Sequence, residues 1–233
     1  MPPAHTEAPW GLGSVVVAFV VGYLLASLLG GVAVAAGAGK DGTATTALTL
    51  VGLWVGFAGV PVVLARTRGR GRLADDFGLR FGGPADLGLG VIGGLAAYGF
   101  LLAYGAVLAQ FDRVDLGRGT DRLAGHGHGL GLGFGVFALA VAVGAPIVEE
   151  LYFRGLVQPA LQRRLGAVAG LVITAVLFGL LHLGDNPPEA MVPLAAFGLV
   201  VGLLAWRKGR LGPGIVAHIT FNGITVVVLA LSR

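Results

Sequence analysis

The sequence predicts an all-α protein, a polytopic transmembrane helical bundle of about seven spans. Three observations lead there: 55% of the 233 residues are apolar, only 12% are charged, and long apolar runs alternate with short basic clusters. A soluble domain needs a polar shell that this composition cannot supply. The net charge of +4 suggests nucleic acid only if the basic residues form a patch, and here they punctuate apolar runs, so no nucleic-acid partner is expected. The chain has no Cys, which excludes disulfides, thiolate zinc sites, iron-sulfur clusters and a Cys nucleophile. Fourteen of the sixteen basic residues are Arg, which with abundant Ala and Gly points to a GC-rich bacterial source.

The apolar stretches run at about 10 to 37, 44 to 65, 86 to 110, 130 to 158, 166 to 184, 189 to 206 and 211 to 231. Most approach the ~20 residues that cross a bilayer. The first span has no basic leader and exceeds a signal-peptide core, so it is expected to stay uncleaved. Gly90, Gly93 and Gly94 give the third span a small-residue face for close helix packing. Alternate glycines from 125 to 135 lack dinucleotide-site spacing and read as a flexible external loop. His126 and His128 in that loop read as solvated, not as metal ligands.

Loop charges set the orientation. Arg66, Arg68, Arg70, Arg72, Arg80, Arg163, Arg164, Arg207, Lys208 and Arg210 fall on one side. Lys40, Arg113, Arg118, Arg122 and Arg233 fall on the other. The richer side should face the cytoplasm, which makes this a multi-pass protein of the cell membrane with a cytoplasmic N-terminus.

An ionisable residue at mid-span costs about 2.5 to 3.5 kcal/mol on insertion scales, so each needs a partner or a task. The candidates are Glu149, Glu150 and Arg154 in the fourth span, His182 in the fifth, and His218 with Asn222 in the seventh. Glu150 and Arg154 stand at i and i+4 and can neutralise each other. Glu149 lies ~100° around the helix from Glu150 and lacks that partner. A lone carboxylate in an apolar setting suits the removal of a proton from water. His218 and Asn222 share a helix face, either as glue between helices or as two donors to one oxygen. The midpoint of positions 149 and 182 falls in Arg163 to Gly166, the turn of a helical hairpin, so Glu149 and His182 sit level on neighbouring antiparallel helices. For His218 to reach that layer, the turn must project beyond the membrane surface.

A carboxylate base, an imidazole beside it and two further donors make a water-activating hydrolytic site with an oxyanion-binding arm. Three motifs carry a resemblance here: Glu149-Glu150-Leu151-Tyr152-Phe153-Arg154 followed by Gly155, then Phe178-Gly179-Leu180-Leu181-His182, then His218-Ile219-Thr220-Phe221-Asn222. In these, in their order and in their helix placement, the chain resembles the CAAX protease and bacteriocin-processing (Abi) family of intramembrane proteases, over roughly residues 136 to 228. The resemblance implies that Glu149 and His182 activate water, that His218 and Asn222 stabilise the oxyanion, that Glu150 and Arg154 support the site, and that Phe178 packs beside His182. It divides the chain into helices outside the family core, 1–125, and a catalytic core, 126–233. Family members typically have eight spans, so an eighth would be hidden in a broken fourth helix or absent.

The family is often labelled a metalloprotease, and His182, His218 and Glu149 form an alternative zinc set. With all three as ligands no separate base remains except Glu150, which Arg154 opposes, and His-Glu-x-x-His is absent, so no cofactor is expected. Ser14, Ser27 and Ser232 lie outside Gly-x-Ser-x-Gly, and no intramembrane Asp pair exists, which argues against serine and aspartyl mechanisms. The expected function is hydrolysis of a peptide bond in a membrane-associated, CAAX-like or other, peptide or protein substrate that reaches the site from the bilayer or the cytoplasmic side. The rivals are a proton-coupled transporter, which should show internal repeats, and a noncatalytic membrane immunity or chaperone protein, which needs no base.

Overall fold

The computed structural model describes residues 10–40, 42–111, 132–183 and 186–231. They form eight helices: α1 (Leu12–Ala35), α2 (Thr43–Arg68), the single turn α3 (Leu73–Asp76), α4 (Pro84–Ala109), α5 (Gly133–Leu165), α6 (Ala167–Leu181), α7 (Met191–Lys208) and α8 (Gly212–Leu231). Six helices are long and apolar enough to cross a membrane. The remaining apolar stretch, read as a seventh span, is α6. With 15 residues it is only about 22 Å long. No eighth span stands among the described residues. The loop histidines His126 and His128 lie outside them, whereas Gly133 and Gly135, within the fourth apolar stretch, are helical in α5.

Helix α5 is not broken, but it changes its winding. Residues Ala140–Gly144 and Leu151–Val157 are π-helical, and α2 contains a third such stretch at Val55–Gly59. Each ends two residues before a proline: Pro61, Pro146 and Pro159. The cause is steric. A proline within a helix has no N–H to give and its ring collides with the carbonyl four residues back, and widening the turn relieves that collision. In α5 the N–H groups of Ala145 and Gln158 accordingly bond the carbonyls five residues back, Ala140 and Phe153. Glu149 and Glu150 stand on the short α-helical insert, Ala145–Glu150, between the two wide stretches.

Glycine permits the close crossings. A Cβ on Gly56 would lie 2.2 Å from the Gly22 nitrogen, so α1 and α2 touch backbone to backbone. Gly90 and Gly94, two of the expected small-residue face, receive Val216, Ala217 and Thr220 of α8. Gly198 likewise brings α7 onto Ala175 of α6. An aromatic core fills the middle: Phe57 stacks on Tyr152 at 4.0 Å between centroids, and Phe153, Phe178, Phe197 and Phe221 continue the contact toward α8.

The basic loops gather at one end of the bundle, where a lock joins α4 to the turn between α7 and α8. Asp86, fully buried, accepts two hydrogen bonds from Arg210, at 2.7 and 2.8 Å, and one from the Gly82 N–H at 2.6 Å. The N–H groups of Leu211 and Gly212 donate to the carbonyls of Gly78 and Arg80. Gly212 is obligatory here, since a Cβ would fall 2.9 Å from the Asp86 carboxylate. The carboxylate in turn holds the Arg210 guanidinium more firmly protonated than usual. Asp86→Ala should lower stability by about 2 kcal/mol, the scale of charge-assisted hydrogen bonds. Thermal unfolding in detergent would measure it, and an unchanged midpoint would remove the lock from the account.

Candidate functional site

The buried ionisable side chains of α5 and α8 meet. Glu150 and Arg154 pair at 2.9 Å with no exposed side-chain surface, as the i and i+4 spacing requires. The Arg154 guanidinium also donates to the Gly198 carbonyl at 3.1 Å and lies over the Phe178 ring, 4.6 Å from its centroid. Glu150 Oε1 accepts a second contact, from His218 Nδ1 at 3.1 Å. Sequence reasoning missed this contact because it spans 68 residues and obeys no periodicity.

Glu149, which does not share the Arg154 pair, reaches the same imidazole. Its Oε2 lies 3.8 Å from His218 Nε2, so the two adjacent glutamates bracket one imidazole, one at each nitrogen. The Glu149 side chain keeps 16% of its surface exposed, whereas that of Glu150 has none. Glu149 Oε2 and Glu150 Oε2 have no hydrogen-bond partner among the described residues. The latter lies against Gly214, where a Cβ would come within 3.0 Å.

His182 caps the C-terminal end of α6. Its Nδ1 is 2.8 Å from the Phe178 carbonyl. A carbonyl can only accept, so Nδ1 carries the hydrogen and Nε2 of the neutral ring keeps its lone pair. Phe178 packs beside His182, with centroids 4.9 Å apart, and also meets His218 edge-on at 5.6 Å. One phenyl ring thus separates and joins the two imidazoles. Phe197 of α7, absent from the sequence reading, closes the other side of His218 at 4.8 Å. Its signal is a single phenylalanine in an apolar run, indistinguishable from lipid-facing neighbours.

Asn222, one turn beyond His218, donates through Nδ2 to the Val141 carbonyl of α5 at 2.9 Å. It therefore does fasten two helices, and its second amide hydrogen is left for another acceptor.

Of the alternative zinc set, His218 has a carboxylate at each nitrogen, and among the described residues no group of three His, Asp or Glu side chains is arranged to hold a metal ion. At the basic end a cleft is lined by Trp10, Phe77, Gln158, Gln162, Trp206 and Arg210, with Arg154 at its wall.

A polytopic helical membrane protein with an acid, imidazole and amide cluster buried among its C-terminal helices is the class that fold and site define. Residues 131–224, about two fifths of the chain, match the family model described as Type II CAAX prenyl endopeptidase Rce1-like. All seven residues singled out from the sequence fall within that segment, and the match agrees with the family resemblance carried by the three motifs. No curated protein and no solved structure matches the chain.

Proposed function

We propose that the chain is an intramembrane endopeptidase that hydrolyses a peptide bond of a membrane-associated substrate with water activated by Glu149 and His182. In this reading Glu149 takes a proton as the water oxygen attacks the carbonyl carbon, and His182 Nε2 accepts a hydrogen bond from the same water. The oxyanion that forms is met by the second N–H of Asn222 and by His218 Nε2. Because Nδ1 of His218 is spent on Glu150, Nε2 can donate only in the imidazolium. When the C–N bond breaks, the leaving nitrogen receives the proton that Glu149 took.

The observation that carries the reading is the His218 ring held between Glu149 and Glu150 inside an aromatic shell shared with His182. Its place within the segment matched to a CAAX endopeptidase model supports a proteolytic task. A CAAX-like C-terminal substrate is one candidate, and prenylation is not required by anything at the site. The excess of basic residues at the cleft end supports a cytoplasmic position for that end in a cell membrane, with water and substrate entering from there or from the bilayer. No step needs a metal, so a chelator should leave turnover unchanged.

The test compares membrane proteomes of cells carrying wild type, Glu149→Gln or His182→Ala. The expected result is a terminal fragment present with wild type and missing in both variants. If every wild-type fragment persists in both, the chain is not a protease of this design.

A further inference from the structure

We infer that Pro146 is a positioning residue for Asn222: by withholding an N–H from α5 it leaves the Val141 carbonyl open to hold the asparagine amide. The effect on turnover rests on the protease reading, but the latch itself does not.

Within α5 the Val141 carbonyl has two possible backbone donors. In α-helical winding the donor is the N–H of Ala145, and in π-helical winding it is the N–H of residue 146. The first is committed elsewhere, because Ala145 N–H bonds Ala140 in the π-helical stretch Ala140–Gly144. The second does not exist, because residue 146 is proline. A carbonyl left open in a membrane interior must find a donor, and Asn222 Nδ2 supplies it from α8 at 2.9 Å. The wide stretch is fixed from outside as well. Gly144 lies under the Trp54 ring of α2, where a Cβ would fall 2.4 Å from the indole.

The consequence is a fixed amide plane. With one hydrogen on Val141, rotation of the Asn222 amide about its last bond is arrested, so its other N–H holds one direction. An oxyanion donor must be preorganised in this way to favour the transition state over the ground state. Any residue other than proline at 146 restores a backbone N–H that competes for Val141 and frees the asparagine to rotate.

Asn186 and Asn222 are the two asparagines of the chain, which makes the latch directly observable. In protein labelled with 15N-asparagine and held in detergent micelles, two side-chain amide pairs appear, and Asn222→Ala identifies one by its loss. In Pro146→Ala the Asn222 pair should shift, and its hydrogens should exchange with solvent about tenfold faster, the loss of one hydrogen bond, while the Asn186 pair stays put. Pro146→Val, which restores the same N–H, should repeat the result if the alanine variant folds poorly. An unmoved Asn222 pair in a folded variant overturns the latch. Turnover gives the second arm: Pro146→Ala should lower kcat in the Asn222 protein with little change in KM, and should lower it no further when Asn222 is already alanine. Additive losses would reduce Pro146 to a structural role. A wild-type chain without protease activity but with the amide shift would contradict the proposed function and leave the latch standing.

Discussion

Arg154→Ala is expected to cost about 3 to 5 kcal/mol of stability, because it strands Glu150 as an uncompensated buried charge. The pair has no solvent to fall back on: both side chains are wholly inaccessible, and Arg154 additionally ties α5 to the Gly198 carbonyl and covers the Phe178 face. Loss of the guanidinium therefore removes an ion pair, a helix-to-helix hydrogen bond and a cation–π contact together. The folded fraction in detergent, followed by thermal unfolding and size-exclusion chromatography, should fall sharply. The double replacement Glu150→Met with Arg154→Met should recover much of that stability, since a well-packed apolar pair of similar volume often equals a buried ion pair. It should not recover turnover, because His218 then loses the partner at Nδ1. An Arg154→Ala protein as stable as wild type would contradict the stabilising role given to this buried pair.

Glu149→Gln should behave in the opposite way, with turnover lost and the fold kept. The amide has the shape of the carboxyl, and the nearest partner of Glu149 is 3.8 Å away, beyond hydrogen-bond range, so little packing or bonding is disturbed. Removing a general base in this position typically lowers the rate by about 10² to 10⁴. Initial rates on a reconstituted substrate, beside unfolding midpoints of the two proteins, separate chemistry from folding. A variant that retains full rate would shift the base to another group or dismiss hydrolysis altogether.

Much of this arrangement was legible from residue type alone, because a charge in an apolar run costs enough to demand a reason. That rule picked out Glu149, Glu150, Arg154, His182, His218 and Asn222, and helical spacing correctly paired Glu150 with Arg154. Spacing also separated Glu149 from the Arg154 pair, but it could not name His218 as the neighbour of Glu149, because that contact depends on where α8 places the imidazole. The hairpin turn was placed at Arg163 to Gly166, yet Arg163, Arg164 and Leu165 complete the last turn of the helix and only Gly166 makes the turn. The hairpin arithmetic had already required that turn to project.

The short α6 shows the converse: an apolar run from 166 to 184 reads as a span, but His182 ends the helix by turning back on the Phe178 carbonyl. The wide turns of α2 and α5 had a readable cause in Pro61, Pro146 and Pro159, though which carbonyl each would release depends on hydrogen bonds that only coordinates define. The Asp86 and Arg210 lock was invisible, since its partners are 124 residues apart and each sits where a helix-end charge needs no explanation.

The most direct test takes the parent of the fragment that disappears in the Glu149→Gln membranes. Purified and reconstituted in liposomes with the wild-type chain, it is cleaved in water enriched in 18O. The account predicts one cut, one heavy oxygen in the new C-terminal carboxylate after a single turnover, and no cut with Glu149→Gln. Equal cleavage by the glutamine variant, or no cleavage by the wild-type chain, would contradict it.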